Sequence, residues 1–293
     1  MQFARHRVKL GFMEFQTLIG TDSLQRELGN PALAVIDCRF DLLHPDAGRE
    51  AYLKAHILGA RYADLNRDLA AAVQAHTGRH PLPAPEAFAR RMGALGIGHD
   101  SQVVAYDEAN CSFAARLWWL LRWIGHDRVA VLDGGFKAWL ARGGEVQSGD
   151  TLVPARHLGV RLQPHAVSSS DEVATALKSP DTLLLDARAA ERFAGSVEPI
   201  DPVAGHIPGA VNHPFSANLE ADGRFLPRDE LERRWRARLG SKTPENVIAM
   251  CGSGVTACHN LLSLELAGLP GGKLFAGSWS EWIRDPRRPV TRG

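Results

Sequence analysis

The hexapeptide AVIDCR at residues 34–39 returns as LLLDAR at residues 183–188. In both copies an apolar run ends in aspartate, and an arginine follows two positions later, with an offset of 186 − 37 = 149 between the aspartates. A short, continuously apolar run of this kind is typical of a strand buried on both faces of a parallel sheet. The recurrence predicts that the chain contains one structural plan twice.

Three further blocks repeat in the same order. They are HILGA (56–60) against HIPGA (206–210), VVAYD (103–107) against VIAMC (247–251), and GGFKAW (134–139) against GSWSEW (277–282). Their offsets, 206 − 56 = 150, 251 − 107 = 144 and 282 − 139 = 143, drift by only a few residues. We therefore predict a duplicated domain.

Within each copy, apolar runs of strand length alternate with longer helical patterns, such as those at 113–124 and 258–267. This alternation predicts an α/β fold with two tandem domains, each a parallel sheet flanked by helices. A stretch rich in Gly and Pro at 141–165 separates the copies, which puts the domains at 14–145 and 160–293.

The composition of the chain excludes several classes of protein and function. The length of 293 residues suits about two domains of roughly 150 residues, and 45% hydrophobic with 23% charged residues excludes a disordered or fibrous chain. With 34 Lys and Arg against 33 Asp and Glu, the net charge of +1 provides no overall positive field for nucleic acid or an anionic membrane. No apolar run is long enough to predict a transmembrane helix.

The cysteines and the N-terminal residues indicate the cellular compartment in which we expect the protein. Four cysteines without a CxxC pair predict neither a disulfide scaffold nor a metal site, and favour a reducing cytoplasm. The basic residues 1–15 lack the apolar block and cleavage site of a secretory signal, so we expect a loose tail there.

The predicted nucleophile is Cys251, which begins the loop CGSGVTAC (251–258) between a strand and a helix. The helix N-terminus and its unpaired N–H groups favour thiolate over thiol. Gly252 and Gly254 are expected to take positive φ and turn successive amides toward the sulfur. The alternative is a small buried apolar residue beside an ordinary turn.

The first copy has Asp107 where the second has this cysteine. The rest of the loop supplies the predicted cradle: Gly252, Gly254, Val255 and Thr256, with hydroxyl groups from Ser253 and Thr256. Cys258 is expected to pack inside the helix, with a regulatory disulfide to Cys251 as the alternative, and Cys38 and Cys111 are expected to be structural.

The Asp-x-Arg blocks, GHIPGA at 205–210, the loop at 251–258 and GSWSEW at 277–282 together resemble the tandem-domain rhodanese family, specifically its 3-mercaptopyruvate sulfurtransferase branch. The resemblance covers about residues 18–282. It implies two rhodanese folds, of which the first has lost its cysteine and the second is active, with the site facing the cleft between them. It implies no metal and no organic cofactor.

The resemblance also assigns the donor and its binding residues. Thiosulfate-preferring members resemble Cys-Arg-Lys-Gly in the loop, whereas Gly252 and Ser253 are neutral and favour the monoanion 3-mercaptopyruvate. Arg192 matches the family's substrate arginine, and Arg188 is a second candidate that alternatively ties down its own loop. A further substrate arginine of the family falls near Asp201, where this chain departs from the pattern.

Mercaptopyruvate enzymes resemble one another in a Ser-His-Asp relay. Ser253 and His80 match its serine and histidine. The acid aligns with Asn66, so either Asp64 substitutes from two residues away or Asn66 orients the imidazole.

The expected reaction is a double displacement through a persulfide on Cys251, in which a small-molecule donor gives sulfur to a thiol, a thioredoxin-like dithiol or cyanide. Three alternatives stay open: a thiosulfate-preferring rhodanese, a sulfur-carrier or interaction module, and a cysteine phosphatase. A phosphatase needs an arginine at the end of the loop, where this chain has Ala257.

Overall fold

Both copies of the repeated aspartate lie at the carboxyl end of a strand in a parallel sheet. The chain is described by a computed structural model over residues 15–293, and the predicted tail lies outside that range except for its last residue. The first unit is built on a five-stranded parallel sheet of order β1-β6-β5-β2-β4. Its strands are β1 (Leu18–Ile19), β2 (Leu33–Asp37), β4 (Arg61–Tyr62), β5 (Gln102–Tyr106) and β6 (Val129–Leu132).

Helices flank this sheet, and a two-stranded antiparallel ribbon lies beside it. The helices are α1 (Thr21–Glu27), α2 (Ala47–Lys54), α3 (Pro85–Ala94), α4 (Ala114–Trp123) and α5 (Gly135–Ala141). The ribbon joins β3 (His56–Ile57) to β7 (Val146–Gln147). Every residue of β5 is buried, which is why its sequence is apolar without alternation.

The second unit repeats the design on a four-stranded parallel sheet of order β11-β10-β8-β9. Its strands are β8 (Leu183–Asp186), β9 (Val211–Asn212), β10 (Val247–Met250) and β11 (Lys273–Leu274). Its helices are α6 (Ser170–Ala176), α7 (Ala190–Ala194), α8 (Arg228–Leu239), α9 (Ala257–Leu266) and α10 (Ser278–Trp282), with 3-10 turns at Pro164–Ala166, Phe215–Asn218 and Pro244–Asn246. The predicted α/β class, with parallel sheets flanked by helices, is confirmed.

The Asp-x-Arg blocks form the same bidentate ion pair in both units. Arg39 pairs with Asp37 at 2.6 Å and stacks on Phe136, with its guanidinium carbon 4.2 Å from the ring centre. Arg188 pairs with Asp186 at 2.7 Å and stacks on Trp279 at 4.7 Å. The predicted repeat is therefore a structural one, down to the aromatic residue that covers the arginine.

The two units share a buried contact between α4 and α9. One continuous core includes Leu117 and Leu121 of α4 together with Leu261 of α9, and Arg122 pairs with Glu265 at 3.4 Å at its edge. This packing brings the loop that follows residue 77 in the first unit onto the second unit. A Cβ on Gly78 would lie 2.5 Å from a backbone oxygen of the second unit, so only glycine fits there.

The connecting segment lies along the first unit before it reaches the second. The amides of Arg156 and Arg161 donate to carbonyls of α3 and of the residue after α4, respectively. The amide of Ser168 then donates to Leu274 of β11. In the described range 15–293, no helix has the length and apolarity needed to cross a membrane.

Candidate active site

Cys251 follows β10 directly and begins the loop that leads into α9. Its Sγ accepts from the amides of Gly254 at 3.1 Å and Ser253 at 3.4 Å. Gly254 has φ +75°, the left-handed conformation expected for a nest of amides. The amide of Cys251 itself donates to Ser278 Oγ at 3.0 Å, which fixes the start of the loop.

Gly252 differs from the prediction, because its φ lies outside the left-handed region. Its small size is needed for space instead. A Cβ on this residue would lie 2.8 Å from Arg79 Nη2 and 3.6 Å from Arg192 Nη1. The absence of a side chain at Gly252 therefore lets the Arg79 guanidinium lie close to the loop backbone, beside a cysteine that is only 2% exposed.

Ser253 and His80 meet across the two units, with His80 Nδ1 2.7 Å from Ser253 Oγ. Burial, together with the charges of Arg116 and Arg79, lowers the pKa of His80 to about 3. At neutral pH the ring is therefore uncharged, with one donor and one acceptor nitrogen. A neutral imidazole bonded to a hydroxyl can pass a proton in either direction.

The two candidates for the relay acid do not reach this pair. The carboxylate of Asp64 accepts from the amides of Asn66 and Arg67, both at 2.9 Å, and neither bond is to His80. Asn66 is exposed on the same turn. The structure thus brings together the serine and the histidine, while Asp64 shapes the backbone nearby.

Arg188 and Arg192 differ in their exposure and in how fully their guanidinium groups are hydrogen-bonded within the protein. Arg188, with a side chain 1% exposed, bonds Asp186, Glu198 and the carbonyl of Gly205. Arg192 is 17% exposed and bonds Glu198 at 2.7 Å through Nη2 and also through Nε. Arg188 therefore matches the expectation that it ties down its loop, and it holds Glu198 where Glu198 can orient Arg192.

Two acidic side chains, Glu198 and Asp201, bond the arginines at the entrance to the site. Burial opposes ionisation of Glu198, yet hydrogen bonds from Arg192 and backbone amides bring its pKa below the usual value. Burial raises the pKa of Asp201, and the charges of the nearby arginines only partly offset this rise. Asp201 accepts from Arg192 Nη2 at 3.2 Å and forms an ion pair with Arg79.

Arg116 of α4 is a functional residue that the sequence analysis missed. It is fully buried, and its guanidinium donates to carbonyls of Gly254 at 3.1 Å, His80 at 3.2 Å and Leu69 at 3.4 Å. Burial lowers its pKa, which the neighbouring sulfurs of Cys258 and Cys251 oppose. The available signal was an arginine at a position where the helix pattern is otherwise apolar.

Other predicted loop residues have structural positions. Val255 is buried in the core, and the Thr256 side chain makes no capping bond to α9. Cys258 Sγ donates to the carbonyl of Gly254 at 3.3 Å, and burial raises its pKa to about 12. Burial likewise raises the pKa of Cys38 and Cys111.

Residues 15–293 contain no cluster of three or more His, Cys, Asp or Glu side chains arranged to hold a metal ion.

The first unit has a carboxylate at the equivalent position, and backbone amides of its own loop bind it. Asp107 Oδ1 accepts from the amide of Cys111 at 2.9 Å, and Oδ2 accepts from Phe113 at 2.8 Å and Ala114 at 3.1 Å. Burial raises the pKa of Asp107, and these bonds counter that rise. The equivalent loop of the second unit is thus suited to an anionic sulfur.

Comparison with known proteins agrees with this geometry. The profile of the Rhodanese-like domain matches residues 20–142 and again 169–285, and the chain belongs to the rhodanese family. It is 50% identical over 286 residues to the probable 3-mercaptopyruvate sulfurtransferase of Pseudomonas aeruginosa, covering 96% of this chain and 100% of that one. This relative carries the name of the 3-mercaptopyruvate sulfurtransferase branch.

Two further relatives show the range of the branch. A putative thiosulfate sulfurtransferase of Mycobacterium tuberculosis is 39% identical over 269 residues, which cover 91% of this chain and 93% of that one. The crystal structure of the Escherichia coli 3-mercaptopyruvate enzyme is 32% identical, with a TM-score of 0.79, and covers 91% of this chain and 100% of that chain. The predicted family and the predicted tandem fold are confirmed.

Proposed function

We propose that this protein is a sulfurtransferase that moves sulfane sulfur from 3-mercaptopyruvate to a thiol or cyanide through a persulfide on Cys251. One observation carries the proposal: Cys251 Sγ faces the amides of Ser253 and Gly254 while the Ser253 hydroxyl bonds His80 from the other unit. The amides suit an anionic sulfur, and the hydroxyl and imidazole suit proton transfer beside it. The names of the Pseudomonas aeruginosa and Escherichia coli relatives support the same donor.

In the first half-reaction, the Cys251 thiolate attacks the donor sulfur. A sulfur–sulfur bond forms, the bond between the donor sulfur and carbon breaks, and its electron pair leaves with the carbon as pyruvate enolate. The donor thiol gives up its proton, which Ser253 and His80 return to that carbon. Because the pKa of His80 is about 3, the ring does not retain the proton. The products are pyruvate and an ionised persulfide.

In the second half-reaction, the acceptor thiol gives its proton to the persulfide, and the resulting acceptor thiolate attacks the outer sulfur. Cyanide attacks in the same way after the persulfide has taken a proton from solvent. The bond to Cys251 breaks, and its electron pair restores the thiolate, which gives ping-pong kinetics. The acceptors that fit this chemistry are small thiols and thioredoxin-like dithiols. A reducing cytoplasm suits four free cysteines and such acceptors.

The donor assignment follows from where the cations lie. The loop from Gly252 to Gly254 bears no cation, so it offers little to a dianionic donor. Arg192 keeps part of its guanidinium exposed at the mouth of the site, and its planar fork suits a carboxylate. We assign Arg192 to the donor carboxylate and Arg188 to holding Glu198.

We assign catalysis to the second domain, residues 160–293, and a non-catalytic role to the first, residues 14–145. Asp107 supports this division, because a carboxylate in the cradle cannot act as a sulfur nucleophile. Asp64 supports the site indirectly: its turn leads to the carbonyl of Leu69, which accepts from Arg116.

The test is release of pyruvate from 3-mercaptopyruvate in the presence of a thiol, with mass spectrometry after donor treatment. We expect pyruvate release by the wild type, its loss in Cys251→Ser, and one added sulfur on Cys251. Phosphate release from an aryl phosphate would instead favour a phosphatase, and sulfur loading without turnover would favour a carrier. A wild type that prefers thiosulfate to 3-mercaptopyruvate would overturn the donor assignment.

A further inference from the structure

Arg79 places a first-unit cation over the active-site loop of the second unit. Its amide donates to Ser280 Oγ at 3.0 Å, which anchors the backbone beside α10. Its Nη1 forms an ion pair with Asp201, and its side chain stays 25% exposed. The next residue is His80, so the same two-residue segment supplies both the relay imidazole and this guanidinium.

Arg79 and Arg192 approach Gly252 from the two units. A Cβ on Gly252 would lie 2.8 Å from Arg79 Nη2, while Arg192 Nη1 and Nη2 would both be 3.6 Å from it. Asp201 bonds both arginines, which spaces them on either side of one carboxylate. The structure therefore holds two cations at a fixed separation above the residue that follows the nucleophile.

Each guanidinium keeps one nitrogen free for a ligand. Within the described part of the chain, Arg79 Nη2 and Arg192 Nη1 have no hydrogen-bond partner, whereas the other nitrogen at the end of each side chain bonds Asp201. Two N–H groups that converge on one space suit the two oxygens of a carboxylate. Cys251 begins the loop below that space.

We propose that Arg79 is a donor-binding residue, which together with Arg192 holds the carboxylate of 3-mercaptopyruvate over Gly252. This inference rests on the proposed function. Asp201 then acts as a positioning residue that sets the distance between the two guanidinium groups. The donor is held by both units at once, and its sulfur is directed toward Cys251.

A purely structural role for Arg79 predicts a different pattern. If the arginine only tied the units together through Asp201, removal of either partner would have the same effect. If Arg79 binds the donor, removal of the arginine weakens donor binding, whereas removal of the Asp201 charge leaves both cations in the site. The two variants therefore separate the roles.

The experiment measures KM and kcat for 3-mercaptopyruvate in Arg79→Met, Arg79→Lys, Asp201→Asn and the control Arg90→Met, which removes an exposed arginine of α3. We expect Arg79→Met to raise KM at least about tenfold, the scale of a lost charge-assisted bond, with kcat within about threefold of wild type. Arg79→Lys should recover part of the loss. Asp201→Asn leaves both cations in place, so its rise in KM should be at least about threefold smaller than that of Arg79→Met, and Arg90→Met should stay within about threefold of wild type.

Equilibrium binding keeps the inference testable apart from turnover. In calorimetry with 3-mercaptopyruvate as the probe, Cys251→Ser should bind the donor at least about tenfold more tightly than Cys251→Ser with Arg79→Met. Absence of pyruvate release by the wild type would refute the proposed function, whereas this comparison would still test Arg79. Equal binding by the two proteins, or equal rises in KM for Arg79→Met and Asp201→Asn, would overturn the inference.

Discussion

The imidazole Nδ1 of His80 lies 2.7 Å from the hydroxyl oxygen of Ser253, although 253 − 80 = 173 positions separate them in the chain. One residue comes from each unit, so the bond exists only when the units are packed together. Proton transfer in the proposed reaction therefore depends on the contact between α4 and α9.

Removal of the serine hydroxyl should affect the two donors differently. We expect Ser253→Ala to lower kcat/KM for 3-mercaptopyruvate by about 100-fold, the usual contribution of acid–base catalysis. Thiosulfate loading should change by less than about threefold, because sulfite leaves without a proton on carbon. Steady-state kinetics with both donors, with His80→Asn as a parallel variant, would measure this. An equal loss with both donors would remove the relay from the mechanism.

Substitution of the two arginines near Glu198 should have different effects, one on donor binding and the other on the stability of the fold. Arg192→Met is expected to weaken use of 3-mercaptopyruvate by about 2 kcal/mol in kcat/KM, the scale of a charge-assisted hydrogen bond. Arg188→Met should instead lower the free energy of unfolding by about 3 kcal/mol, because it leaves Asp186 buried and unpaired. Kinetics and urea unfolding on both variants test this. Unchanged kinetics in Arg192→Met would exclude it from the site.

A methyl group at residue 252 should obstruct the donor without harming the fold. Gly252→Ala should raise KM for 3-mercaptopyruvate about tenfold, since one methyl group in a tight site has an effect of that order. Its φ is outside the left-handed region, so the free energy of unfolding should change by less than about 1 kcal/mol. Gly159→Ala, where a Cβ meets nothing within 4 Å, is the matched control. A normal KM would show that the donor does not pass over Gly252.

Loss of the buried cation at Arg116 should affect stability and turnover together. Arg116→Met leaves three carbonyls without their donor, so we expect the free energy of unfolding to fall by about 3 kcal/mol. The rate of persulfide formation should fall at least about tenfold, because Gly254 and His80 lose their common anchor. Arg116→Lys should recover part of both losses. Rapid-mixing kinetics and thermal unfolding are the measurements, and wild-type values for both would contradict this role.

Acidification should destabilise the protein through its buried neutral histidines. Burial lowers the pKa of His259 to about 3, while an unfolded histidine titrates near 6.5. Between these values the unfolded chain binds a proton that the native state does not, so stability falls as pH is lowered. From pH 7 to pH 5 this histidine alone should account for about 2 kcal/mol.

The check is urea unfolding at both pH values. His259→Gln should show a drop that is smaller by that amount, and the exposed-residue control His76→Gln should keep the full drop. Identical drops in all three proteins would show that His259 does not titrate as described.

The sequence was most informative where a local pattern recurs. The Asp-x-Arg pairs could be predicted as equivalent because both lie two residues apart at the end of a buried strand. The cradle around Cys251 could be predicted because glycine, helix start and strand end are all local features. The reason for Gly252 was wrong, because its steric constraint comes from Arg79 of the other unit.

Residue patterns alone could not predict the contacts between the two units. His80 is matched to Ser253 only through resemblance, and no residue pattern assigns a role to its neighbour Arg79. Arg116 looks like an ordinary polar interruption of a helix until α9 is packed against it. Asp64 was a reasonable relay acid by type, yet its carboxylate is engaged by amides of its own turn.

The filled cradle at Asp107 has a consequence for how the protein is made. During synthesis the first unit emerges from the ribosome before Cys251 has been added, and N-terminal domains generally fold first. The first unit is made without the nucleophilic thiol, since a carboxylate occupies its place. The active site is completed last, when the loop that begins at Cys251 packs against residues of the first unit that have already folded.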